Sequence, residues 1–221
     1  MKIDRHGRAK ILTPDEIQLL FSEGFEGNPF PLRDRALFGV CLYTACRINE
    51  ACTIKTKDVY DRKGVVRDTL IIRKNRTKGK LATRTIPIIE DLRSLLVDYF
   101  PSPRTYNLFS GRGGKGHINV DYAAQILRKA CDKLDIEGVS THSFRRTALT
   151  QMSNAGIPLR VIQEISGHRT LDELQKYLEV TDAQVRGAVS SLSMISHLGK
   201  PSYPEIENPY EAIPIRRSHL S

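Results

Sequence analysis

No stretch of this 221-residue chain stays apolar for the ~20 residues that a membrane-spanning helix requires, and no apolar segment follows the charged N-terminus MKIDRHGRAK to act as a secretory signal. Neither a lipidation signal nor an amphipathic basic helix is present, so a membrane role is not expected and the chain is expected to be cytoplasmic. The four cysteines, Cys41, Cys46, Cys52 and Cys131, have no C-x-x-C spacing, and three of them fall in a helical-looking stretch. They are expected to be reduced, buried, small apolar residues. No internal repeat is found. Acid is in short supply: 25 Asp and Glu face 34 Lys and Arg, giving a net charge of +9. On a compact domain that excess favours a polyanionic partner, although charge alone does not separate DNA from RNA.

With 40% hydrophobic residues the chain can bury one substantial core, so a single domain with tails is the expected organisation. LTPDEIQLLF carries a helix start, with Thr13 as N-cap, Pro14 in the first helical position and Glu16 completing a capping box. RDRALFGVCLYTACRINEACTI reads as two helices hinged near Thr44 to Arg47, and Arg47 stands where an apolar residue would suit the pattern. TLIIRK and TRTIPI are β-branched runs flanking the basic loop NRTKGKLA, a predicted hairpin with Gly79 at its tip. EDLRSLLVDYF predicts a helix ended by Pro101 and Pro103. LFSGRGGKGHIN lacks the context of a nucleotide-binding loop and reads as a flexible connection.

VDYAAQILRKACDKL predicts a further helix, and three short ones follow within residues 141–180. The first has Phe144, Leu149 and Met152 on one side and stops at Gly156. The second begins at Pro158 and stops at Gly167, and the third begins at Thr170, with Glu173 expected to complete a capping box. DAQVRGAVSSLSMISHL is a weaker helix, and a proline-rich tail closes the sequence.

Chemistry-bearing residues gather at these helix ends. His142 and Arg145 share one face near a helix N-terminus, where backbone N–H groups favour an anion, and Arg146 lies beside them. His168 follows Gly167 directly, and Tyr177 sits three residues after Leu174. Each residue alone has a plain structural reading: a solvated basic helix end, a surface cap or a core-edge aromatic. Arg47 could likewise be snorkelling at a helix junction or paired with Glu50.

Their order is more informative. CRINE, a hairpin lysine, HSFRR, a Gly-His pair 23 residues after Arg145 and a tyrosine nine residues beyond that histidine together resemble the tyrosine recombinases, the phage integrase family. The resemblance runs from about Thr13 to about Leu192. It implies a mainly α-helical fold with a small antiparallel β-sheet of about three strands. The implied activity is site-specific cleavage and rejoining of DNA through a 3′-phosphotyrosyl intermediate. Arg47 and Arg145 would hold the charged phosphate oxygens, Tyr177 would be the nucleophile and Lys78 the acid for the leaving 5′ oxygen. His142 would assist proton transfer, His168 would donate to the phosphate, and Glu50 would orient an active-site group.

The scheme requires no cofactor, and the two histidines lack a metal-ligand spacing. Double-stranded DNA is the implied partner, with contacts expected from Arg73, Lys74, Arg76, Lys80, Arg84 and Arg146 and with self-association on DNA. The expected organisation is an N-terminal extension over residues 1–12, a catalytic domain over 13–198 and a tail over 199–221. Family members usually carry a separate N-terminal helical domain that closes around DNA, and twelve residues precede Thr13 here. A protein partner supplying such a core-binding domain is therefore one expectation, and a DNA-binding regulator or accessory protein that retains the constellation without recombining is the alternative. The hairpin is about one residue longer than usual in the family, which leaves Lys80 as a rival to Lys78.

Overall fold

Helix α1, Pro14–Leu19, begins where its sequence requires: the Thr13 hydroxyl accepts from the Glu16 N–H, and the Glu16 carboxylate accepts from the Thr13 N–H at 3.0 Å. A single π-helical segment, Leu20–Gly24, follows. The structure, a computed structural model, describes residues 9–73, 83–101, 105–178 and 182–195. The chain divides into two units, Met1–Glu179 and Val180–Ser221.

The first unit is built around α2, Pro31–Tyr43, on which almost every residue from Arg33 to Leu42 is buried. A helix apolar on all sides has to be covered on all sides. It packs against α4, Glu90–Tyr99, and α6, Thr141–Asn154. Four phenylalanines bind these layers. Phe38 of α2 stacks on Phe25 and on Phe144 of α6, both at 5.2 Å between centroids, and Phe21 meets Phe25 and Phe144 edge-on. Such pairs contribute about 0.5–1.5 kcal/mol each beyond the burial of their area. The remaining helices are α3, Ile48–Cys52, α5, Val120–Lys133, α7, Leu159–Ser166, and α8, Leu171–Gln175. All four cysteines are free and buried.

Residues 9–12 pack onto the rest of the first unit. Leu12 is buried and its N–H donates to Thr147 Oγ1, while Lys10 N–H donates to the Gly138 carbonyl.

Where about three strands were expected, the described residues hold two: β1, Thr69–Ile72, antiparallel to β2, Arg84–Pro87, with Leu70 opposite Ile86 and Ile72 opposite Arg84. Outside them, isolated bridges pair Lys55 with Asn107 and Tyr60 with Val66. Between Tyr60 and Val66 the Asp61 carboxylate closes a turn, accepting from the Lys63 and Val65 N–H groups. The glycine-rich segment is a closed turn rather than a loose connection. A Ser110–His117 bridge shuts it, and a Cβ on Gly111 would lie 2.4 Å from the Lys115 carbonyl oxygen.

At α8 only half of the expected capping box forms. Thr170 Oγ1 accepts from the Glu173 N–H, but the Glu173 carboxylate takes the Arg169 N–H instead. Among the described residues no helix is long and apolar enough to cross a membrane. Within the second unit, α9, Asp182–Ser191, runs into a 3₁₀ turn over Leu192–Ile195, and Val185, Val189, Leu192, Met194 and Ile195 are exposed.

Candidate active site

The site begins at the break between α2 and α3. Thr44 Oγ1 bonds back to the Val40 carbonyl, and the buried Ala45 then takes a left-handed backbone (φ 49°), a conformation costly for any residue with a β-carbon. Two interactions hold it there: the Ala45 carbonyl accepts from Arg145 Nη1, and Arg47 resumes an extended backbone as the N-cap of α3. Glu50, in the third position of α3, reaches back to accept from the Arg47 N–H at 2.8 Å. Its other oxygen, Oε1, lies 2.9 Å from Arg84 Nη2 and 3.9 Å from Arg47 Nη1.

Arg145, on α6, is fully buried. Its Nη1 donates to the Ala45 and Ser166 carbonyls at 2.5 and 2.9 Å, and its Nη2 lies 2.9 Å from Nε2 of His168 and 3.4 Å from Nδ1. Buried charges are usually paired with opposite charge. Here, among the described residues, neutral groups alone hydrogen-bond to Arg145, and its Nε and one Nη of Arg47 are buried without an acceptor.

Two guanidiniums, Arg47 and Arg84, thus share one carboxylate, Glu50, and Arg145 adds a third positive charge without a carboxylate partner among the described residues. Burial and the neighbouring Arg47 cation bring the Arg145 pKa down to about 10, which still leaves it charged at neutral pH. Burial first, then Arg145, Arg47 and Arg84, push His168 down to about 3. Partial desolvation, followed by Arg145 and Arg47, lowers His142 as well. Both histidines are neutral near pH 7. The excess of buried, fixed positive charge and donors suits a tetrahedral anion.

Gly167 shapes the seat of His168. It ends α7 in a left-handed conformation (φ 67°), and a Cβ there would meet the Arg84 guanidinium at 2.6 to 2.9 Å. Arg84 Nη1 fixes the same corner by donating to the Ile165 carbonyl. Ser166 Oγ lies 2.8 Å from His168 Nδ1, and Gln163 Nε2 donates to the His168 carbonyl at 3.1 Å. The Tyr177 ring sits 5.1 Å from the imidazole, tilted by 46°, and is backed by a small apolar cluster that includes Leu149, Ile162 and Leu174. His142 is on the first turn of α6, behind a Ser140 cap.

The structure therefore brings Arg47, Glu50, Arg145, His168 and Tyr177 together, with His142 close enough to feel both arginines. Lys78, Lys74, Arg76 and Lys80 lie outside the described residues. Three of the residues expected at DNA have protein partners here. Arg84 is 8% exposed and holds Glu50, because β2 alternates and places it on the buried face with Ile86. Arg146 is also 8% exposed and donates to the Ala9 carbonyl, tying down residues 9–12. Arg73 grips the buried Asp58 through two hydrogen bonds of 2.7 and 2.5 Å. Sequence reasoning missed Ala45, Gln163 and Ser166. The period-two pattern of TRTIPI was the signal for Arg84; nothing in the sequence marked the other three.

Residues 10–184 match the model of the phage integrase family. The chain is 30% identical over 194 residues to the tyrosine recombinase XerA of Pyrococcus furiosus, covering 86% of this chain and 64% of that protein. It superposes on a crystal structure of XerA recombinase with a TM-score of 0.66 at 22% identity, covering 84% of this chain and 65% of the other. On XerH site-specific recombinase in a post-cleavage complex with its difH substrate, the TM-score is 0.65 at 21% identity, covering 84% and 53%. The chain thus spans less than two thirds of the length of these relatives.

Proposed function

The chain belongs to the phage integrase family of tyrosine recombinases, and from that premise we propose that it cuts and rejoins DNA at specific sites through a 3′-phosphotyrosyl intermediate. The observation that carries this reading is the fully buried Arg145, paired with no carboxylate among the described residues and set beside Arg47, His168 and Tyr177. A phosphodiester supplies the missing negative charge.

In the mechanism, the Tyr177 hydroxyl oxygen attacks phosphorus, the bond to the 5′ oxygen breaks, and the DNA 3′ end is left joined to Tyr177. The energy of the cut bond is kept in the new one, so a free 5′ hydroxyl can reverse the step and rejoin strands without a nucleotide cofactor. Arg47 and Arg145 stabilise the charge that grows on the non-bridging oxygens, where pre-set donors in a desolvated site act most strongly. His142, neutral at pH 7, is able to take the tyrosine proton. Lys78 protonates the departing 5′ oxygen. Glu50 and Arg84 hold the Arg47 end of the site and the Gly167 corner in register.

The same reading includes self-association on DNA. The first unit carries an apolar groove of about 890 Å³ lined by residues such as Ile17, Phe21, Leu42, Tyr43 and Met152. The exposed Val185, Val189 and Leu192 of a second copy have the chemistry to fill it. It also includes a partner supplying the core-binding contacts, without which this catalytic face should bind a lone duplex weakly and with steep salt dependence.

A nicked suicide duplex, whose short cleaved strand diffuses away, tests the central claim. Wild-type protein should accumulate a covalent DNA adduct, and Tyr177→Phe should form none while keeping its fold and DNA affinity. Adduct formation by Tyr177→Phe at the wild-type rate would sink the assignment.

A further inference from the structure

A polar cavity of about 190 Å³ lies against the active site and takes no part in the chemistry above; Glu50, Lys55, Lys57, Asp58, Arg73 and Tyr106 line it. Glu50 is the wall it shares with the site, since the same carboxylate holds Arg84 and lies 3.9 Å from Arg47. Both acids of the lining are already engaged. Glu50 accepts from the Arg47 N–H and from Arg84, and the two Asp58 oxygens accept from Nε and Nη2 of Arg73. What is left over is positive. Arg73 keeps Nη1 without a partner among the described residues. Lys55 is pre-set by neutral groups: its Nζ donates to Asn107 Oδ1 at 2.9 Å and lies 4.2 Å from the centre of the Tyr106 ring. An amide and an aromatic face hold an ammonium without neutralising it. Lys57 is exposed, and its side chain makes no hydrogen bond among the described residues.

We propose that this cavity is a second phosphate subsite, in which Lys55, Lys57 and Arg73 hold one DNA backbone phosphate close to the scissile one. Its size selects the ligand. About 190 Å³ is below the roughly 300–1,000 Å³ of cavities that enclose whole small molecules, so it suits a phosphate group and not a nucleoside. Two ammoniums and a free guanidinium N–H match phosphodiester oxygens in charge and in donors. Its place matters as well. Arg73 is the last described residue before 74–82, the stretch that includes Lys78, so the chain that delivers the acid for the departing 5′ oxygen leaves from this cavity. A phosphate held there sets the register of the strand beside Arg47 without any contact to the reacting atoms, so these three residues position DNA.

This inference rests on the recombinase reading for the identity of its ligand. Methylphosphonate scanning tests it: suicide duplexes each carry one uncharged phosphodiester near the cut, and their binding is measured with wild type, with Lys57→Gln and with Lys55→Gln/Lys57→Gln. One position other than the scissile phosphate should weaken wild-type binding about tenfold. At that position alone the double variant should lose no further affinity. On the unmodified duplex its log–log salt slope should be shallower by about 1. Lys57→Gln, a change at an exposed side chain that leaves the fold intact, should show part of the same position-specific loss. Weakening spread evenly over every position, the mark of a diffuse basic surface, overturns the proposal, and so does no weakening at all. Lys57-dependent binding of inorganic phosphate without a position-specific effect on DNA would make the cavity a free-anion site and overturns it too. Wild-type protein that shows the position-specific loss but forms no adduct removes the recombinase reading and leaves the subsite standing; adducts without that loss remove the subsite alone.

Discussion

The guanidinium of Arg84 covers Gly167 so closely that a β-carbon added there would sit 2.6 Å from Nη1, and Gly167 itself has φ +67°. This one contact joins β2 to the turn that carries His168. Gly167→Ala should therefore destabilise the fold by at least about 1–2 kcal/mol from the left-handed backbone alone, and by more as Arg84 is pushed from Glu50 and the Ile165 carbonyl. Thermal unfolding checks it, and a melting temperature within error of wild type would contradict the contact.

Arg145→Lys keeps the charge but not the fork. One ammonium cannot serve the Ala45 and Ser166 carbonyls and His168 Nε2 together. Suicide-duplex cleavage should fall by about 10²-fold or more, and stability by about 1–3 kcal/mol for the buried acceptors left unpaired. Cleavage within about twofold of wild type, a difference worth well under 1 kcal/mol, would make the residue purely structural.

Acid should weaken the fold through His168. In the unfolded chain its pKa is about 6.5, whereas in the folded protein burial and the surrounding arginines hold it near 3. Between those values the unfolded state binds more protons, so stability rises with pH across the window, is complete above about 6.5, and is lost progressively as pH falls toward 3. His142 shifts in the same direction. Unfolding measured at pH 7 and pH 4.5, values chosen to straddle the unfolded histidine pKa, should show a larger loss for wild type than for His168→Asn. Equal losses would remove His168 from the acid response.

The two hairpin lysines are separable by chemistry. A duplex whose leaving 5′ oxygen is replaced by sulfur needs no general acid. It should restore cleavage to Lys78→Ala and give no special gain to Lys80→Ala. The reverse pattern would transfer the role to Lys80.

Legibility in the sequence followed the range of the interactions. The capping box at Thr13, the stop at Gly167, the hinge between Thr44 and Arg47 and the spacing from Arg145 to His168 to Tyr177 are all set by residues within a few turns of one another, and the structure keeps them. The family, too, was readable, because order and spacing survive in one dimension.

What only the tertiary structure decided was where each arginine's charge goes. Arg84, Arg145 and Arg146 are alike in sequence, basic residues beside apolar runs. Yet Arg84 meets Glu50 from 34 positions away, Arg145 meets a carbonyl 100 positions away, and Arg146 meets one 137 positions away. A guanidinium is surface or core according to whether distant backbone and carboxylate acceptors converge on it, and that convergence is a property of packing. Ser166 is a further instance: a serine before Gly-His carries no local signal, and its carbonyl meets Arg145 only because α6 packs beside the end of α7.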